Sequence, residues 1–347
     1  MRKLVYLATV FLTIFLSPTV MAVRVTSIYQ AEIPVTSDSS QAKSQAATEG
    51  LSQVFIKVSG NSQVLESYPA LKASLSQANT LAQEYHYSTS DKASKTLTIR
   101  YDAEGVDHIL ADNGVPVWGQ NRPLILVWLA YEAPSHPSDI VDGTPSDIQQ
   151  ALKHAAAERG VPFILPVMDM DDITQVSVND VTALTIPVLQ KASTRYESNA
   201  ILIGKMTASK TDVSSEWTLV MDDQQTHWTI TGKDPAEVFE VVTNNVADLL
   251  AGHYSTVLTE KALAQVTLHI EGIKQQADLL QLMKYLQHIS MVTDVQLMSV
   301  ADNDVTLNVS LRGSQQAFIQ ALAISKNLAV VAQSKPGDDV LQYQWKP

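Results

Sequence analysis

The 347-residue chain contains no cysteine. That excludes disulfides, thiol catalysis, Cys-ligated metals and a lipid-modified lipoprotein cysteine. Cations are scarce as well. Lys and Arg number 24 against 36 Asp and Glu, a formal net charge of −12. Nucleic acid and anionic lipid both require clustered basic side chains, so neither is an expected partner. The eight histidines are scattered and form no H-E-x-x-H zinc pair. No G-x-S-x-G elbow, phosphate-binding loop or G-x-G-x-x-G fingerprint occurs either. From sequence, then, no catalytic residue, cofactor or metal site is assigned.

Long apolar runs are also missing, except at the start. Arg2 and Lys3 precede an apolar run, Leu4–Leu16, then Ser17-Pro18 and Val20-Met21-Ala22. A charged start, a short apolar stretch and small residues at −3 and −1 make a bacterial secretory signal peptide, with cleavage after Ala22. The run is too short for a membrane span, which needs about 20 apolar residues. The expected product begins at Val23, carries a net charge of −14, has no lipid anchor and resides in the periplasm.

What remains has the hydrophobic content of a globular protein, 45% over the full chain. Its hydrophobic periodicity predicts three small modules in series, of α/β and α+β class. Residues 23–118 read as β-α-α-β-β-α. A strand over Val23–Pro34 precedes a helix carrying Ala47, Leu51, Val54, Phe55 and Val58. A second helix is expected from Pro69 to Ala82, then strands near Glu84–Ser88 and Lys95–Tyr101. Residues 119–255 read as a central βαβαβ sheet with a hairpin. Its buried strands are Leu124–Ala130, Phe163–Met168 and Ala200–Met206. Thr144 is the expected cap of the first helix, and a second helix, kinked by Pro187, is expected over Val178–Tyr196. Residues 256–347 read as β-α-β-β-α with a closing strand, Leu341–Trp345.

Certain segments carry a resemblance. They are Tyr29–Val35 (YQAEIPV), Val54–Gly60 (VFIKVSG), Arg159–Pro162 (RGVP), Leu165–Asp172 (LPVMDMDD), Ser193–Tyr196 (STRY) and Ala200–Gly204 (AILIG). In this order they resemble an exported proteobacterial domain-of-unknown-function family, DUF2066, over essentially the whole mature chain. The resemblance implies a gram-negative envelope protein and supplies no activity to transfer. At the level of modules the chain is also similar to Tol-system and flagellar or secretion accessory proteins.

Asp169, Asp171 and Asp172 stand just after a predicted buried strand, with Arg195 as a nearby cation. Ligands in open α/β sheets favour the carboxyl ends of strands, and three carboxylates suit a hard cation. The loop lacks the glycine and terminal glutamate of a calcium-binding EF-hand. The plainer reading is that these acids cap the next helix and pair with Arg195. Paired carboxylates also serve glycosidases, but sequence cannot set their separation. Trp217 and Trp228 on adjacent strands suit sugar stacking or, more simply, cross-strand packing. The tail Leu341–Trp345 suits either a partner's sheet edge or its own sheet.

The expected function is a non-enzymatic periplasmic adaptor that binds another envelope protein, in a trans-envelope or secretion complex. The alternative is a small-ligand or glycan-binding protein, or a hydrolase, using the Asp169–Asp172 loop.

Overall fold

A computed structural model describes residues 25–89, 95–134, 136–258, 264–325, 327–331 and 340–346. The predicted signal peptide lies outside the described residues. The chain forms three α/β modules in series, with mixed sheets and interspersed helices.

In the first module a 3-10 turn leads into β1 (Gln30–Val35). The turn takes over the start of the expected strand because it tucks Ile28 and Tyr29 into the core. Helix α1 (Ser40–Ser59) begins where the Ser39 hydroxyl accepts the Ala42 amide at 3.2 Å. It ends at Gly60, whose φ of +72° requires the left-handed region. The expected helix over Pro69–Ala82 is instead fragmented. Residues α2 (Val64–Ser67), α3 (Leu71–Ser74), a 3-10 turn and α4 (Ala78–Leu81) replace it. Short polar side chains compete for helix partners here: Ser76 donates to the Ala73 carbonyl and Asn79 to Ser44. Strands β2 (Ala82–Thr89) and β3 (Lys95–Tyr101) and helix α5 (Ala103–Asp112) complete the module. The sheet is antiparallel, in the order β1-β3-β2.

A connector holding the short β4 (Pro116–Val117) leads to the central module. Its elements are β5 (Ile125–Ala133), β6 (His136–Ile140), α6 (Asp147–Arg159), β7 (Phe163–Ile164) and α7 (Met170–Gln175). Then come α8 (Val178–Thr182), α9 (Ile186–Ser193), β8 (Ala200–Ala208), β9 (Val213–Met221), β10 (Gln224–Gly232) and α10 (Pro235–Tyr254). The order is β10-β9-β8-β5-β6, with β7 beside β5; β5 runs parallel to both β7 and β8.

Ser146, not Thr144, caps α6, accepting the Gln149 amide at 3.2 Å. The expected strand over Phe163–Met168 contracts to two residues, because the Val167 amide turns to the Tyr196 hydroxyl and the Met168 amide to the Asp172 carboxylate. The expected kinked helix is two helices. Leu184 breaks it at φ +54°, and Pro187 falls in the first turn of α9, where its missing amide costs nothing.

Residues 125–130 of β5 are buried on both faces. Ile125, Val127 and Leu129 meet α6 and α10, whereas Leu126, Trp128 and Ala130 meet α8 and α9. Gly204 on β8 faces Trp217 on β9; a Cβ there would lie 2.3 Å from the indole. Trp217 is buried directly opposite the half-buried Trp228.

The last module opens with β11 (Thr256–Val257), which pairs with β4. It continues with β12 (Ala264–Glu271), α11 (Gln276–Gln287), β13 (Val292–Ala301), β14 (Asp304–Leu311), α12 (Gln315–Ala323), β15 (Leu328–Val330) and β16 (Val340–Trp345). The order is β13-β14-β12-β16-β15. The tail strand β16 thus sits inside its own sheet, parallel to β12. A single apolar cluster runs from Ile28 and Leu51 through Val117 and Leu258 to Leu268 and Phe318, so the first and last modules share a core. No helix among the described residues is long and apolar enough to cross a membrane.

Candidate functional site

The acidic loop is rooted in the core of the central module. Trp128 on β5 donates its indole N–H to Ser193 at 2.9 Å and meets the Tyr196 ring edge-on at 6.4 Å. Tyr196 then reaches outward: its hydroxyl donates to Asp172 and accepts the Val167 amide at 2.8 Å. The structure brings Asp169, Asp171, Asp172 and Arg195 together around this support.

Each carboxylate has a different degree of freedom. Asp169 caps α7, with Oδ1 accepting the amides of Asp171 and Asp172 at 3.1 and 3.2 Å. It also takes a two-pronged bond from Arg195, at 2.6 and 2.7 Å. The Arg195 bond, helped by the two amides, holds the Asp169 carboxyl down at about 2. Asp172 is fully buried and accepts from Arg195 at 3.3 Å, the Met168 amide at 3.0 Å and Tyr196. Burial, reinforced by the Asp172 bond, pushes the Tyr196 phenol up to about 12. Asp171 is the most exposed of the three, 79% against 40% for Asp169, and stands 3.9 Å from Arg195.

This geometry makes a braced helix start. Asp169 and Asp172 already hold Arg195, backbone amides and Tyr196. Among the described residues, no group of three or more His, Asp or Glu is arranged to hold a metal ion. The described concavities, including the crevice bordered by Tyr131, Asp139, Asp142 and Asp147, are lined by other residues.

A second arginine cluster escaped sequence reasoning. Arg122, fully buried, donates to five backbone carbonyls. Lys57 contributes one from α1 at 2.5 Å, Trp118 and Gly119 one each from the connector, and Arg159 and Gly160 one each from the end of α6. The guanidinium carbon also lies 3.9 Å from the Trp118 ring centre. Burial first, and the neighbouring Arg159 second, pull Arg122 down to about 9.

Arg159 extends the joint, donating to Gly60 at 2.7 Å, Asn244 at 2.5 Å and Asp248 at 2.8 Å. Asp248 on α10 in turn accepts the Ser62 amide at 2.9 Å and its hydroxyl at 2.6 Å. The carbonyl ends of α1 and α6 therefore converge on two cations, which the helix dipoles favour. Within the first module Tyr29 donates to Asp107 at 2.8 Å, and Arg312 of the last module stands 4.0 Å from the same carboxylate. The available sequence signal for the joint was a lone arginine before Pro123, immediately ahead of a wholly apolar strand.

Comparison with known proteins matches two separate stretches of the chain. Residues 22–119 match a domain of unknown function, DUF8605, and residues 264–345 match DUF2066. The DUF2066 likeness expected over the whole mature chain is therefore found at its carboxyl end. Tyr29–Val35 and Val54–Gly60 fall in the DUF8605 stretch, and the segments between residues 159 and 204 fall in neither. No curated protein matches the chain.

Among solved structures, the C-terminal domain of LpoB from Salmonella enterica is 12% identical. That alignment covers 32% of this chain and 83% of the solved domain's chain, with a TM-score of 0.23. An uncharacterized protein is also 12% identical, covering 38% of this chain and 91% of its own, with a TM-score of 0.18. The comparisons bring no specific link to Tol-system or flagellar and secretion accessory proteins.

Proposed function

We propose that this chain is an exported, non-enzymatic adaptor that joins other proteins of the bacterial envelope, as part of a trans-envelope or secretion complex. The observation that carries this reading is the Arg122–Arg159 joint. It ties α1, the connector, α6 and α10 into one body through buried hydrogen bonds. An adaptor transmits position, and such a joint fixes the surface of one module relative to the next. The acidic loop fits the same account, because its buried carboxylate braces a helix start. Export rests on the signal-peptide pattern of residues 1–22.

The test is photo-crosslinking in intact cells followed by affinity purification of the full chain. Reproducible recovery of one or a few envelope proteins is expected; their absence overturns the reading. The competing reading is tested with purified glycan fragments. Binding by the native chain that disappears in the Asp171→Ala/Asp172→Ala double variant, still folded by circular dichroism, would favour a ligand-binding role instead.

A further inference from the structure

The last module ends, on one side, in an unprotected strand. β13 is terminal in the order β13-β14-β12-β16-β15, and every residue from Gln296 to Ala301 is exposed. Leu297, Met298 and Val300 are 45%, 61% and 58% exposed. Sheet edges are ordinarily blunted by charge, proline or shortness, because their unpaired amides and carbonyls invite another strand. Most other terminal strands among the described residues follow that rule, β2 through Glu84. β10, nine residues long with neither charge nor proline, is blunted only by its polar side chains. β1 carries Pro34, β6 carries Pro137, and β15 has three residues. β10 exposes Gln224, Gln225, His227, Thr229 and Thr231. From Val295 to Ala301, β13 has neither charge nor proline, although its register is irregular near both Thr293 and Met298.

The apolar side chains also have a direction. Val295, Leu297 and Val300 pair with Val309, Leu307 and Val305 of β14, all three buried. Val295 is buried in the core, and Leu297 and Val300 continue that face of the sheet into solvent. Helix α11 packs over β13, and its Leu280 is 61% exposed. An added strand would find backbone partners along β13 and apolar contacts on that same face.

Charge selects the occupant. The neutral stretch is flanked by Asp294 at one end and Asp302 and Asp304 at the other. Antiparallel pairing of β13 with a second copy would set Asp294 against Asp302 or Asp304, and like charges directly opposite are destabilising. A strand with cationic ends meets the opposite situation.

We propose that β13 is a strand-addition site for an extended segment of another protein, apolar on alternate residues and bearing Lys or Arg at both ends. This rests on the adaptor reading and specifies the partner's chemistry.

The probe is the peptide Lys-Lys-Thr-Val-Thr-Val-Thr-Val-Lys-Lys, titrated against the full mature chain by fluorescence anisotropy. A counterpart with Glu at every Lys position is the control. The Lys-ended peptide should bind at least about tenfold more tightly, and Val300→Lys should abolish the difference. Equal binding of both peptides, no binding, or binding indifferent to Val300→Lys overturns the proposal.

Because the chain has no cysteine, Ser299→Cys supplies a unique thiol should Val300→Lys fail to fold. It should displace thionitrobenzoate from a Lys-ended peptide whose Cys tag is activated as the mixed thionitrobenzoate disulfide, forming the protein–peptide disulfide faster than Thr231→Cys on β10 does. Equal rates overturn the proposal, as does a Ser299→Cys disulfide homodimer. In cells, envelope partners captured equally well by Val300→Lys and native protein would remove β13 while leaving the adaptor reading intact; capture of none would remove that reading.

Discussion

Arg195 and Arg122 each gather several acceptors, but under opposite conditions. Arg195 lies at the surface, 36% exposed, and its partners are carboxylates. Arg122 is fully buried, and its partners are neutral carbonyls. Exposed ion pairs lose most of their Coulomb energy to water and add little stability. A buried guanidinium has surrendered its hydration, so each of its bonds must be made. The surface cluster shapes a loop, whereas the buried one determines whether two modules and their connector stay together.

The largest expected effect therefore falls on Arg122. Arg122→Ala leaves buried carbonyls of α1, the connector and α6 unpaired, at a cost of about 1–3 kcal/mol for each group that water cannot reach. A total loss of about 4 kcal/mol is expected, read as a lower urea midpoint. Arg122→Lys should recover less than half of it, since an ammonium cannot span carbonyls distributed around a planar fork. Equal stability of Arg122→Lys and the native chain would remove the joint from the account.

Arg159 should rank second. It is 5% exposed and, unlike Arg122, has a carboxylate partner in Asp248. Asp248→Asn retains an acceptor for Arg159 and Ser62 but removes the charge that compensates the buried guanidinium. The expected loss is about 1–2 kcal/mol. Combined with Ser62→Ala it should be less than additive, because both touch the same carboxylate.

The buried joints should also shape the pH dependence. Burial pushes Asp107 up from 3.8 to about 6, against the pull of Tyr29 and Arg312. Between those values the folded chain binds more protons than the unfolded chain, so stability should fall as pH rises from about 4 to 6. Burial pulls Lys57 down from 10.5 to about 8. There the unfolded chain binds more protons, and stability should rise as pH climbs from 8 towards 10.5. Asp107→Asn and Lys57→Met should each flatten its own window in urea melts collected across pH. A slope that survives both substitutions would assign it to other groups.

The same contrast explains what sequence could disclose. β3 matches its expected limits because Leu97, Ile99 and Tyr101 alternate, and the helix expected after it forms with Asp102 as its cap through Gly105. The acidic loop was visible because its partners lie nearby in chain order, with Arg195 only 26 residues from Asp169. Arg122 draws on Lys57 and Gly160, which are 65 and 38 residues away, and on carbonyls that every residue possesses. No periodicity marks such an acceptor. β4 and β11 were missed for a related reason: two residues each are too few to show alternation. The exposed β13 read simply as a strand, because its pattern does not state whether a neighbour covers its edge.

The smallest effect is expected at the surface cluster, where coupling is more informative than magnitude. Asp169→Asn keeps an oxygen to cap α7 but loses the charge that Arg195 grips; Arg195→Gln loses the grip and keeps the cap. If the two charges act mainly on each other, the double variant should melt no lower than the worse single variant. The acid limit should shift in the same experiment. Because the folded Asp169 carboxyl is held at about 2, below its ordinary 3.8, its contribution is present above 3.8 and lost as pH falls towards 2. Asp169→Asn should therefore matter less at pH 2 than at pH 7. A cost that persists at pH 2 would assign the role of Asp169 to its neutral hydrogen bonds to α7, making the cap, rather than the ion pair with Arg195, the part that braces the loop.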